Sequence, residues 1–142
     1  DNSVVFNSPR VLFGINKSDI NQEFKLVLEN FFPRYIKILT SKEYKDEIKE
    51  IRVEGHTSDT WAASSSKKEI YLNNMKLSQN RAYEVLSFCY RLEDEVTKDN
   101  RPWLEKFFRA NGMAFSKLKE KARRVEFTIK MKSEDKVYKI LK

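Results

Sequence analysis

Apolar and polar positions alternate most cleanly near the end of the chain, in "RRVEFTIKMK". Val125, Phe127, Ile129 and Met131 fall on one side, and Arg124, Glu126, Thr128 and Lys130 on the other. A period of two predicts a half-buried strand. "IRVE", from Ile51 to Glu54, repeats the pattern over a shorter span. Spacings of three and four replace it in "INQEFKLVLENFFPRYIKI". There Ile20, Phe24, Val27, Leu28, Phe31, Tyr35 and Ile38 mark one face of a long helix. Ser18 or Asp19 can cap its start. Pro33 lies inside it and is expected to kink or split it. A second helix is read in "NNMKLSQNRAYEVLSFCYRL", with Leu77, Val85, Leu86 and Cys89 inward and Asn73 or Asn74 as its cap.

The remaining segments are shorter. "VVFNSPRVLFGI" reads as extended. "TSKEYKDEIKE" is a charged connection, and "SDTWAASSSKKEI" an exposed loop without periodicity. "RPWLEKFF" suits a short helix opened by Pro102, with a strand near "GMAF". The order β, α, β, α, (α), β, β predicts an α+β domain. Its small mixed sheet has helices packed on one face and room for some parallel pairing.

Composition narrows the class. A chain of 142 residues that is 40% hydrophobic and 13% aromatic can bury one core, which argues against disorder. Only 3 Gly and 3 Pro argue against a turn-rich all-β sandwich. The formal charge of +7 favours acidic partners. The basic residues are scattered among 21 acids and no nucleic-acid motif is present, so nucleic acid is not an expected partner. No apolar run approaches the roughly 18 residues of a membrane span, and no secretory signal is visible. The absence of an initiator Met suggests a piece of a longer protein.

Candidate chemistry concentrates in two places. "GHTSD" (55–59) holds the sole histidine with Ser58 and Asp59. Near neighbours in an extended segment point to opposite faces, so a Ser-His-Asp relay is not expected there. Nor does a Gly-x-Ser-x-Gly elbow occur. One His and one Cys do not make a zinc spacing. The chain therefore reads as a non-enzyme without a cofactor or metal, with His56 hydrogen-bonded at a strand end. The second place is the helix bearing Asn74, Leu77, Ser78 and Arg81. Asn74 and Arg81 are seven residues apart, two turns along one face. An arginine beside free N–H groups at a helix start makes a carboxylate receptor. A capping Asn and a solvated Arg are the plainer reading of the same spacing.

These segments together resemble the OmpA-like domain found at the C-termini of OmpA, Pal and MotB proteins. "EGHTSD" (54–59), "NMKLSQNRA" (74–82) and "ARRVEFTI" (122–129) match its signatures in order, and "LFGINKSDI" (12–20) looks like its first strand and the turn into its first helix. The resemblance implies a βαβαββ fold over residues 11–132, with 1–10 as a linker or extension and 133–142 as a tail. It also implies non-covalent binding of the peptidoglycan stem peptide, chiefly its diaminopimelate. By position, Arg81 would hold a ligand carboxylate and Asn16 would meet polar groups across a groove. Asn74 and Leu77 would shape the floor, with Thr57 and Tyr71 at its edge.

One departure bears on the ligand. The family's acid after Gly-His-Thr is Ser58 here, and Asp59 follows one step later. Asp59 takes over the contact to the ligand's ammonium after a small loop shift, or the domain binds a changed ligand, or binds weakly; the alternative is a domain repurposed for protein–protein contact with weak or no peptidoglycan binding. The family's glycine a few residues on is Trp61, and the loop to Tyr71 is longer. The pattern is similar to stator-type members, the MotB-like and ZorB-like subunits. That likeness implies a periplasmic domain of a Gram-negative-type envelope protein, a membrane helix before it, a homodimer and a membrane-embedded motor partner.

Overall fold

The computed structural model describes residues 3–6, 12–14, 17–57, 66–114 and 124–132. The elements, in order, are β1 (Ser3–Phe6), α1 (Gln22–Leu39), a 3-10 turn (Lys45–Glu47), β2 (Ile48–His56), α2 (Lys67–Tyr90), α3 (Glu95–Asp99), α4 (Arg101–Phe107), β3 (Phe108–Gly112) and β4 (Arg124–Met131). They build one mixed sheet in the order β1-β4-β2-β3. β4 runs antiparallel to both β1 and β2, and β2 pairs in parallel with β3. That parallel pair needs a long crossover, which α2, α3 and α4 supply.

The alternation read in "RRVEFTIKMK" and "IRVE" is realised in the two central strands. Ile51, Val53, Val125 and Phe127 are completely buried on the face that the helices cover. Phe127 is the hub: its ring meets Phe6, Phe31, Phe32, Tyr35 and Phe108 at centroid distances of 5.9, 5.3, 6.3, 5.6 and 6.4 Å. Burial of this kind raises the Tyr35 hydroxyl pKa well above its ordinary value.

Several local expectations are corrected. The first strand of the sheet is Ser3–Phe6, within the expected extension, while Phe13 makes only an isolated bridge with Ile20. α1 begins after Asn21, not at a Ser18 or Asp19 cap, and runs unbroken through Pro33. Its buried face is Phe24, Leu28, Phe32, Tyr35, Ile36 and Leu39, whereas Val27 and Ile38 are exposed. With aromatic and aliphatic residues on nearly every side of this segment, periodicity alone did not resolve the direction of the face. Packing of Phe32, Tyr35 and Ile36 on either side of Pro33 outweighs the hydrogen bond that a proline forfeits. α2 begins at Lys67, capped by Ser66, whose Oγ accepts from Glu69 N at 3.2 Å and contacts the Glu69 carboxylate at 3.2 Å. This N-cap recruits "KKEI" from the expected loop. The polar "EDEV" stretch caps and starts α3 through Asp94, and the strand after α4 is "FRANG", not "GMAF". The expected tail, 133–142, lies outside the described residues.

Candidate functional site

Two glycines bring the helix that carries the candidate residues onto the sheet. Gly55 on β2 is in register with Gly112 on β3. A Cβ on Gly55 would stand 2.4 Å from the Ser78 carbonyl oxygen, and one on Gly112 would stand 2.6 Å from Gln79 N. Such contacts are closer than any side chain tolerates, so glycine is required for α2 to lie this near. The contact is then fixed by hydrogen bonds. Gly112 N donates to Gln79 Oε1 at 2.6 Å and Ala114 N donates to Ser78 Oγ at 2.9 Å. Thr57 N donates to Ala114 O at 2.7 Å, and Met113 N to Gly55 O at 2.8 Å. Ala114 takes up a positive φ of 49° to make this junction.

On α2, Asn74, Leu77, Ser78 and Arg81 share the buried face, as the spacing predicts. Their place along the helix differs from the sequence reading. Asn74 is an interior residue whose Nδ2 donates to Ile70 O at 2.8 Å, so it is no cap. Arg81 is two turns further in, away from free N–H groups at a helix start. What positions Arg81 is the segment before α1. Its Nε donates to Lys17 O at 2.7 Å and its Nη2 to Gly14 O at 3.0 Å, while the guanidinium lies over the Phe13 ring at 4.7 Å. Arg81 is thus 7% exposed, not a solvated surface residue. It clamps the backbone at Gly14 and Lys17. Sequence reading paired the "LFGINKS" segment with the groove but did not foresee that Arg81 itself holds it. A buried arginine's many donors, matched to two carbonyls sixty-odd residues away, leave no periodic signal.

The end of β2 divides the "GHT" residues between faces. Thr57 is 1% exposed at the junction with Ala114, and its Oγ1 lacks a hydrogen-bond partner. His56 projects to the other side of the sheet. It is buried, yet neither ring nitrogen makes a hydrogen bond, which corrects the expected hydrogen-bonded strand-end role. Its Nε2 instead stands 3.5 Å from Glu54 Oε1 and 3.7 Å from Glu126 Oε2. Tyr71 is half exposed one turn before Asn74. Asn16, Ser58, Asp59 and Trp61 lie outside the described residues. Among the described residues, Asn74, Leu77 and Arg81 share the buried face of α2, Ser78 on that face meets the end of β2 at Gly55, and Tyr71 is exposed on the same helix.

No protein-family model matches the chain. It is 41% identical over 109 residues to the Zorya protein ZorB of Escherichia coli, a match covering 77% of this chain and 45% of that protein. The chain thus spans less than half the length of this relative. Among solved structures, the periplasmic domain of Helicobacter pylori MotB superposes with a TM-score of 0.60 at 22% identity, over 99% of this chain and 91% of that one. The OmpA-like domain of FopA1 from Francisella tularensis gives 0.58 at 20% identity, over 91% and 75%. The cell wall anchor of the T6SS from Pseudomonas aeruginosa gives 0.52 at 21% identity, over 92% and 81%. The sheet order and these likenesses agree: the chain has the fold of the OmpA-like and MotB periplasmic domains and is similar in sequence to ZorB.

Proposed function

We propose that this domain binds the stem peptide of peptidoglycan non-covalently, chiefly through diaminopimelate, and so anchors a membrane protein to the cell wall from the periplasm. The observation that carries the reading is the placement of Arg81. Its guanidinium is held by the Gly14 and Lys17 carbonyls, on the face of α2 that packs against the end of β2. A pre-positioned planar cation is suited to a carboxylate and loses little side-chain freedom on binding. In this reading Asn74 and Leu77 form the floor, and Asn16, Thr57, Ser58 and Tyr71 supply the polar lip. Asp59 receives the ligand's ammonium in place of the acid that the family carries at Ser58. The likeness to a protein named a cell wall anchor, and to MotB and ZorB, supports the same function. The homodimer and the motor partner belong to this proposal too and rest on the MotB and ZorB likeness alone. The chemistry is recognition; no bond is made or broken.

Sedimentation with purified sacculi tests it. The wild-type domain is expected to co-sediment, and Arg81→Ala to remain in the supernatant with its circular dichroism unchanged. Failure of the folded wild-type domain to sediment sinks the wall-binding reading in favour of a protein-contact role.

A further inference from the structure

The second cluster lies on the sheet face away from the helices. β2 and β4 are in a register that sets Glu54 directly opposite Glu126, and His56 opposite Arg124. Two carboxylates in direct cross-strand opposition repel each other, more so with their side chains only 10% and 12% exposed. A cation between them is the natural remedy. Arg52 Nη1 approaches Glu54 Oε2 at 3.6 Å, and Arg124 Nε donates to Glu126 Oε2 at 3.1 Å, so each acid has an arginine at its flank. The inner space is occupied by the His56 imidazole, whose two nitrogens are buried without a hydrogen bond.

We propose that Glu54, His56 and Glu126 form a binding site for a divalent transition-metal cation of the zinc type. One donor atom from each of the three lies within 4.8 Å of the other two. Metal–ligand bonds of about 2.0–2.1 Å at tetrahedral angles put neighbouring donors about 3.4 Å apart. The separations from His56 Nε2, 3.5 and 3.7 Å, need only a few tenths of an ångström of closure. One imidazole and two carboxylates form a mixed nitrogen and oxygen set that suits zinc and its neighbours over calcium or magnesium. An orphaned buried imidazole gains its missing partner, and the facing acids gain a charge between them. Spacing along the chain hides this site. The histidine and Glu54 are neighbours on one strand, but Glu126 joins them only through the β2–β4 register.

The test is a titration of the metal-free chain with zinc chloride, followed by calorimetry and by the imidazole NMR signals. Because His56 is the sole histidine, those signals have one source. The expected result is saturable binding of one zinc per chain, with the His56 resonances shifting in step with the heat. His56→Gln and Glu126→Gln are each expected to weaken binding by about tenfold or more, as loss of a ligand should. Glu126→Gln decides the matter if His56→Gln does not fold. Absence of saturable binding to the wild-type chain overturns the proposal. So does binding that leaves the His56 signals unmoved, or that both variants retain. Sacculus sedimentation is scored separately, so neither result stands in for the other.

Discussion

Gly55 and Gly112 face each other across the parallel β2–β3 pair, and the backbone of α2 at Ser78 and Gln79 rests on both. The glycine of "GHTSD" is therefore a packing residue: its missing side chain sets the distance between the helix that carries Arg81 and the strand that ends in Thr57. Gly55→Ala forces a methyl group against the Ser78 carbonyl. It is expected to destabilise the fold by about 1–3 kcal/mol, the usual range for overpacking. Urea unfolding measures this, and a midpoint equal to wild type would show that α2 can lift without cost.

Ser78 holds the same junction through its hydroxyl, which accepts from Ala114 N and donates to Met75 O. Ser78→Ala leaves the Ala114 N–H buried without that acceptor, a loss of about 1–3 kcal/mol. The amide of Ala114 is expected to exchange faster with deuterium than in the wild type. An unchanged exchange rate would mean that the hydroxyl is dispensable.

Arg81 separates charge from shape. Arg81→Lys retains the cation but cannot reach the Gly14 and Lys17 carbonyls with the same planar fork. The expected outcome is loss of sacculus binding close to that of Arg81→Ala, with faster exchange in the peptide covering 12–21. Wild-type binding by the lysine variant would show that a point charge suffices and that the clamp on Gly14–Lys17 has no part in recognition.

Cys89 is fully buried on α2, and burial pushes its thiol well above the ordinary range. Since the thiolate is the reactive form, Ellman's reagent is expected to leave the native chain unmodified and to titrate one thiol when the chain is unfolded. Rapid labelling under native conditions would place α2 in frequent opening.

Glu93 is an exposed contributor to the pH dependence. A hydrogen bond from Arg101, then its charge, holds the Glu93 carboxyl below the usual range. A depressed carboxylate contributes stability that is present above its unfolded pKa and is lost as pH falls through the folded one. Glu93→Gln is therefore expected to lower neutral stability slightly, to leave stability below the folded pKa unchanged, and so to flatten the decline on the acid side. Thermal melts across that range measure the slope, and an unchanged slope would remove Glu93 from the account.

The two central strands were legible in the sequence because each alternates in a sheet buried on one face, a pattern that admits one reading. The helices were legible as helices but not in their limits or their facing. "SSSKKEI" lacks apolar periodicity, so the Ser66 cap was hidden within a serine-rich run. Phe31 and Phe32 are adjacent, so either could have pointed inward. The shared buried face of Asn74, Leu77 and Arg81 was legible from their spacing. The roles of Gly55 and of the Glu54–His56–Glu126 cluster were not, because each depends on contact between strands or layers that no one-dimensional pattern records.

The pairing of β1 with β4 has a mechanical meaning. Ser3 lies opposite Thr128 and Phe6 opposite Val125, so β1 enters the sheet midway along β4, level with Arg52, and runs toward the end that holds Gly55. A pull on the chain ahead of Ser3, resisted at Arg81, is directed along the strands and across hydrogen bonds that lie perpendicular to them. Those bonds are loaded in shear, all together, and not peeled one after another. The first strand is thus seated as a tether would be, with the sheet's central strand as its opposing plate.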